Sequence, residues 1–98
     1  MLEIGFGEQG VVVVTGRLDA AQTDKAQEFL DQLSGPSTMD FSGLEYVSSA
    51  GLGVLLRTQK RLMSAGGGLK LVNVNPHIHN IFRYSGFDHI FEIEAAGD

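Results

Sequence analysis

Five consecutive β-branched residues, Val11-Val12-Val13-Val14-Thr15, stand between Gly10 and Gly16. Side chains branched at Cβ are stiff against a helical turn and pack well on a pleated surface, so the run specifies a strand. Its lack of polar alternation predicts cover on both faces. Leu2–Phe6 is mostly apolar and reads as a second short strand. The turn residues Gly7 to Gly10 join the two closely enough for a hairpin.

Beyond Gly16 the apolar period changes. Ala26, Phe29, Leu30 and Leu33 recur at helical spacing, which predicts an amphipathic helix over 22–33, ended by Gly35-Pro36. Thr38–Phe41 is a short strand candidate, and Ser42 to Val47 reads as a loop. A second helix is predicted over 49–64. Leu52, Leu55, Leu56, Leu62 and Met63 lie largely on one side of it, with Arg57, Lys60 and Arg61 on a solvated face. Gly66-Gly67-Gly68 stops it, because glycine readily takes the left-handed cap conformation. Leu69–Val72 reads as a strand. Asn75-Pro76 opens a third helix running to about Ser85, since asparagine is a favoured cap and proline needs no N–H partner at the first helical position. Gly86 closes it, and His89–Ile93 reads as a last strand. The order β-β-α-β-α-β-α-β predicts one α/β domain over residues 1–98. It is a mixed, mostly parallel sheet with an N-terminal hairpin, covered by three to four helices.

Composition narrows the function classes. The net charge is −5, which leaves no excess of Lys and Arg to neutralise nucleic-acid phosphates. No cysteine is present, so disulfides, thiolate metal sites and a cysteine nucleophile are excluded. The first ten residues lack the basic start and apolar core of a signal peptide. No apolar run approaches the ~20 residues that span a bilayer. The expectation is a cytoplasmic protein without membrane or nucleic-acid partners and without a cofactor.

The segment richest in chemistry is Asp40-Phe41-Ser42-Gly43-Leu44-Glu45-Tyr46-Val47-Ser48-Ser49-Ala50-Gly51-Leu52. It places two hydroxyls where a helix begins, followed by the small residues Ala50 and Gly51. A helix start has unpaired backbone N–H groups and partial positive charge, so it favours anions. A phosphate there gains charge-assisted hydrogen bonds while adding ~1.5 to 2 negative charges to the surface. Read locally, Ser48 or Ser49 equally serves as a plain N-cap. One hydroxyl can cap while the other is modified.

This segment resembles the signature of the STAS domain, shared by anti-sigma factor antagonists and the cytoplasmic tails of sulfate transporters. The family pattern runs Asp-Leu-Ser, a short gap, an aromatic and an aliphatic, then Asp-Ser-Ser/Thr/Ala-Gly-Leu. Here it is matched by Asp40-Phe41-Ser42, Tyr46-Val47 and Ser48-Ser49-Ala50-Gly51-Leu52. Gly16-Arg17-Leu18-Asp19 is similar to the family's Gly-x-Leu-Asp turn, and Asn75-Pro76 through Ser85-Gly86-Phe87 to its third helix and exit. The resemblance implies an anti-sigma factor antagonist that works by partner switching. The unphosphorylated form would bind an anti-sigma factor with a histidine-kinase-like ATPase fold, which is also a serine kinase, and so release a sigma factor. A serine phosphatase would reverse the modification. By position Ser49 is the implied phosphorylation site, and Asp19 an acidic neighbour. Gly51 is implied to keep the helix start open, with Asp19, Ser48, Ser49, Ala50 and Gly51 as the partner surface. Ser48 stands where the family often has aspartate, which makes Ser48 a rival acceptor. It also keeps a second reading in play: an accessory subunit docked constitutively on a transporter ATPase or signalling assembly.

Three other patterns point elsewhere. Gly5-Phe6-Gly7-Glu8-Gln9-Gly10 matches Gly-x-Gly-x-x-Gly, yet a Val run rather than a helix follows it, so it reads as the hairpin turn. His77 and His79 would point about 200° apart on a helix and share no metal. Val47-Ser48-Ser49-Ala50-Gly51 lacks the first glycine of a hydrolase nucleophile elbow. The resemblance implies a ligand and kinase substrate, and none of these patterns argues for an enzyme instead.

Overall fold

The structure, a computed structural model, describes residues 1–96; the last two positions of the expected 1–98 domain lie outside the described residues. The order is β1 (Leu2–Phe6), β2 (Val12–Leu18), α1 (Thr23–Leu30), β3 (Pro36–Val47), α2 (Ser49–Ser64), β4 (Gly68–Val74), α3 (Pro76–Tyr84) and β5 (Glu92–Ala95). The strands form one sheet in the order β1-β2-β3-β4-β5. β1 and β2 are an antiparallel hairpin and the remaining pairs are parallel. This is the mixed, mostly parallel plan that the alternation of periods predicts. Of the Gly-x-Gly-x-x-Gly stretch, Gly5 and Phe6 end β1 and Gly7–Gly10 make the hairpin turn, closed by the Gly7 N–H donating to the Val11 carbonyl at 2.7 Å.

One face of the sheet carries the core. Leu2, Val12, Val14, Leu18, Met39, Phe41, Leu44, Val47, Leu69, Leu71 and Val74 are all buried there. Ala26 and Leu30 of α1, Val54, Leu55 and Leu62 of α2, and Ile78 and Phe82 of α3 pack onto them. Phe82 sits between Phe41 and Phe91, edge-on to the latter at 5.5 Å. Each fully buried ring of this kind contributes ~1.5–3 kcal/mol. The opposite face stays open. Val13 is 36% exposed between the buried Val12 and Val14, so the Val run is covered on one face, not on both as its unbroken apolarity suggests. The β propensity of the run is genuine, but the helices all fall on the other layer.

β3 differs most from expectation. The segment Ser42–Val47, expected as a loop, continues the strand to twelve residues. Two β-bulges explain why periodicity missed it. Val13 and Thr15 pair with Asp40 and Gly43, and Gly16 and Arg17 pair with Leu44 and Tyr46, so β3 gains one extra residue at each irregularity. Inward residues therefore fall at 39, 41, 44 and 47, which is not the period of a regular strand. Asp40 holds the first bulge, its Oδ1 accepting the Ser42 N–H at 2.8 Å. Gly43 fits there because a Cβ would meet Thr15 Cγ2 at 2.6 Å.

Smaller corrections follow from packing. Gly16 does not end β2. It sits within the strand at φ +94°, with the Met1 carbonyl where a Cβ would project. β5 begins at Glu92, because Phe87–His89 forms a 3-10 turn first. Met63 is more than half exposed. The basic side of α2 is exposed as expected and also ties α2 to α1: Arg61 donates to the Leu30 and Leu33 carbonyls at 2.9 Å, closing the C-terminal end of α1, and Arg57 reaches Gln27.

Candidate functional site

The site is built where β2 and β3 end together. Their last pair is Leu18 with Val47. The Ser48 N–H donates to the Leu18 carbonyl at 2.9 Å, which ties the start of α2 to the end of β2. The same pairing brings Asp19, the residue after Leu18, to the side of the two serines. Asp19 itself caps the short turn Ala20–Gln22, accepting the Ala21 N–H at 3.2 Å.

The two adjacent hydroxyls have different surroundings. Ser48 is the N-cap of α2: extended at φ −84°, ψ 172°, it accepts the Gly51 N–H on its side-chain oxygen at 3.1 Å. It is half-buried. Ser49 is the first helical residue and is exposed, as is Ala50. The N–H groups of Ser49 and Ala50 have no intrahelical acceptor, because the first turn of a helix provides none. A hydroxyl and two amide donors thus share the positive end of a sixteen-residue helix.

Gly51 has another place. It is buried, and a Cβ on it would lie 2.6 Å from the Leu18 carbonyl and 2.8 Å from Leu18 Cγ. Its smallness lets α2 approach β2; it offers no side of itself to a partner. Of the five residues expected to form a surface, Asp19, Ser48, Ser49 and Ala50 are gathered at this corner with solvent access, and Gly51 lies beneath them. Arg17, not among the residues expected at the site, lies beside it with its guanidinium over the Tyr46 ring at 4.6 Å. It pairs with Tyr46 just before the Leu18–Val47 junction. The available signal was its place in Gly16-Arg17-Leu18-Asp19.

His77 is exposed and His79 half-buried, both on α3. Asp40 lies partly buried on the open face. Burial by itself would raise its pKa, but hydrogen bonds from Ser42 and Asn73 outweigh burial and hold the carboxyl below its ordinary value. Among the described residues, no helix is long and apolar enough to cross a membrane.

The chain is 38% identical over 74 residues to BtrV of Bordetella bronchiseptica, described as a candidate anti-sigma factor antagonist. That match covers 76% of this chain and 58% of BtrV, so the chain spans little more than half of that relative. It is 28% identical over 92 residues to the anti-sigma F factor antagonist of Paenibacillus polymyxa, covering 87% of this chain and 79% of that protein. In fold it is similar to the Bacillus anti-sigma factor antagonist SpoIIAA. The TM-score is 0.70 against the unphosphorylated form at 20% identity, covering 95% of this chain and 87% of that one. Against the phosphorylated form it is 0.65 at 19% identity, covering 95% and 90%. The family model described as Mlab, STAS domain matches residues 5–93. With its bulged third strand and its serine-capped α2 inside that matched span, the chain belongs to the STAS domain family.

Proposed function

We propose that this protein is an anti-sigma factor antagonist controlled by phosphorylation of Ser49. One observation carries the reading: Ser48 already fills the N-cap, so Ser49 is left exposed at a helix start with no capping duty. A phosphate on Ser49 meets the unpaired amides of the first turn, so the interior is undisturbed while surface charge changes. The Ser48 hydroxyl, by contrast, is half-buried and already engaged by the Gly51 N–H, which leaves it less open to a kinase. The names of the relatives support antagonism, and SpoIIAA is known in a phosphorylated form.

In this reading the unmodified corner of Asp19, Ser48, Ser49 and Ala50 docks an anti-sigma factor with a histidine-kinase-like ATPase fold. That partner phosphorylates Ser49 from ATP, and a serine phosphatase restores the free hydroxyl. All of this takes place in the cytoplasm. The domain performs no chemistry of its own; added charge and volume at the docking corner weaken the complex without unfolding either protein.

The test is a titration of the partner kinase with wild type, Ser49→Ala and Ser49→Asp. Ser49→Ala is expected to bind like wild type, and Ser49→Asp at least about tenfold more weakly, a difference of ~1.4 kcal/mol. Equal binding by Ser49→Asp overturns the switch and leaves a constitutively docked accessory subunit. Mass mapping that finds phosphate on Ser48 instead overturns the assignment of the acceptor.

A further inference from the structure

We infer that Arg17, braced on Tyr46, is the contact that selects the anti-sigma factor: its guanidinium takes a carboxylate of that partner beside the Ser49 corner. The inference rests on the function proposed above and extends the docking surface beyond the start of α2. Side-chain alternation places the residue. Leu18 and Val47 point into the core, so their neighbours Arg17 and Tyr46 point to the open face. Asp19 is still extended at φ −108°, ψ −177°, and Ser48 at φ −84°, ψ 172°. The two-residue period therefore continues past the ends of both strands. It sets Asp19 on the side of Arg17 and Ser48 on the side of Tyr46, each pair ~7 Å apart. The corner and the Arg17–Tyr46 pair form one continuous surface.

The cations of the chain are engaged differently. Lys25 holds the Leu2 carbonyl, Arg57 reaches Gln27, Arg61 closes α1, and Lys70 lies between Glu92 and Glu94. Each of these ties two elements of the fold together. Arg17 is exposed, and among the described residues its side chain forms no salt bridge. Its contact is the Tyr46 ring, 4.6 Å away. The ring attracts the cation and restrains the side chain without accepting its N–H groups along a lone pair, so the donors stay available. A restrained fork of free donors matches a carboxylate through two parallel hydrogen bonds. Lys60 and Arg83 are exposed too, but they stand in the later turns of α2 and α3, away from the corner. Arginine and tyrosine are also the residue types that carry much of the energy of protein interfaces.

The neighbours define what can dock there. A recess of about 340 Å³ adjoins Arg17, lined also by Gly16, Gly43, Glu3 and Glu45. Neither glutamate bridges Arg17, and both repel an anion from the recess, so an incoming carboxylate meets the guanidinium alone. Two residues on, Asp19 presents the opposite charge. This plus-then-minus pair calls for the reverse pattern on the partner, an acid against Arg17 and a base against Asp19. A chain of net charge −5 repels acidic surfaces in general. A partner whose acid falls in register with Arg17 avoids that repulsion and others do not, which is how a single charge confers selectivity. Ser49 stands on the helix layer and Arg17 on the open face, so the group that Arg17 meets belongs to the partner's surface and not to the phosphate in transfer.

The test titrates the full chain with the anti-sigma factor that its wild type binds. Arg17→Ala is expected to bind about tenfold more weakly, with an unchanged far-ultraviolet spectrum and thermal midpoint. Arg17→Glu is expected to bind about a hundredfold more weakly, and Arg17→Lys to fall between wild type and Arg17→Ala, because it keeps the charge and loses the fork. Reversing the opposing acid of the partner to arginine is expected to restore Arg17→Glu at least about tenfold, which a merely structural role for Arg17 would not produce. Wild-type affinity of Arg17→Ala overturns the inference, as does Arg17→Glu that no single reversal of a partner acid rescues. Unchanged binding with a lower kcat for phosphorylation would put Arg17 on the nucleotide phosphate and overturns it too. Should Arg17→Ala fold poorly, the Arg17→Glu rescue decides. These failures leave the Ser49 switch standing, since that is read from Ser49→Asp. Equal binding by Ser49→Asp removes the switch and leaves the Arg17 contact, and a wild type that binds no anti-sigma factor removes both.

Discussion

α2 and α3 begin alike and end up different. Both follow a parallel strand, and both are capped by a side chain that accepts an N–H three residues on: Ser48 from Gly51 at 3.1 Å, and Asn75 from Ile78 at 2.9 Å. α3 is closed. Pro76 has no N–H to offer, and the Asn75 amide also donates to the Leu44 carbonyl at 3.2 Å, which ties the cap to β3. α2 is open: its cap is made by one serine, a second serine stands free, and small residues follow. An N-terminus becomes a candidate site when its cap is satisfied without consuming the group on display. Helix start alone does not distinguish the two.

That contrast can be broken most forcefully at Gly51. Gly51→Ala is expected to destabilise by on the order of 2 kcal/mol, since crowding against the Leu18 carbonyl outweighs the better helix propensity of alanine. Thermal unfolding measures it, and a neutral result would mean that α2 can shift away from β2 at no cost. Next is the pair of cap deletions. Asn75→Ala is expected to cost ~1.5 kcal/mol, because cap and tether go together, whereas Ser48→Ala costs ~1 kcal/mol. Denaturant unfolding that ranks them the other way would refute the description of α3 as the more firmly tied end.

Acid titration sharpens the role of the first bulge. The folded-state pKa of Asp40 is depressed below its ordinary 3.8. Its ionised form therefore stabilises the fold fully above that value, and the contribution is lost as pH falls through the lower folded pKa. Asp40→Asn keeps an acceptor for Ser42 but removes the charge. Its stability deficit is expected to be constant near neutrality and to shrink below about pH 4. A deficit that persists unchanged at low pH would assign the effect to shape and not to charge. The smallest effect is expected for Ser48→Asp, within about 0.5 kcal/mol of wild type, because aspartate caps as well as serine and suits the positive helix end. Should this variant also speed phosphorylation of Ser49, the serine at 48 is what slows the kinase.

Much of this architecture was readable from residue types. The two helix caps, the Gly-rich stop after α2 and the hairpin turn are short-range features, set by side chains that act on their own backbone. The boundaries 49–64 of α2 follow from such signals. The second half of β3 was not readable. Phe41, Leu44 and Val47 look neither helical nor alternating, because the bulges that restore their common direction exist only when β2 lies alongside. Arg61 is exposed as expected, but its tie to α1 was not readable for a related reason: its partners, the Leu30 and Leu33 carbonyls, are about thirty positions away in the chain.

The sequence by itself determined which segments are strand and helix at their centres, and that two hydroxyls open α2. It did so because propensity and capping are local interactions. Only the tertiary structure decided which face of the Val run is covered and that Ser48, not Ser49, is the cap. It also decided that Gly51 is a spacer under the site instead of part of its surface. The last two outcomes depend on the Leu18 carbonyl, which accepts from Ser48 and crowds Gly51. Chain closure brings that atom into place, across about thirty residues.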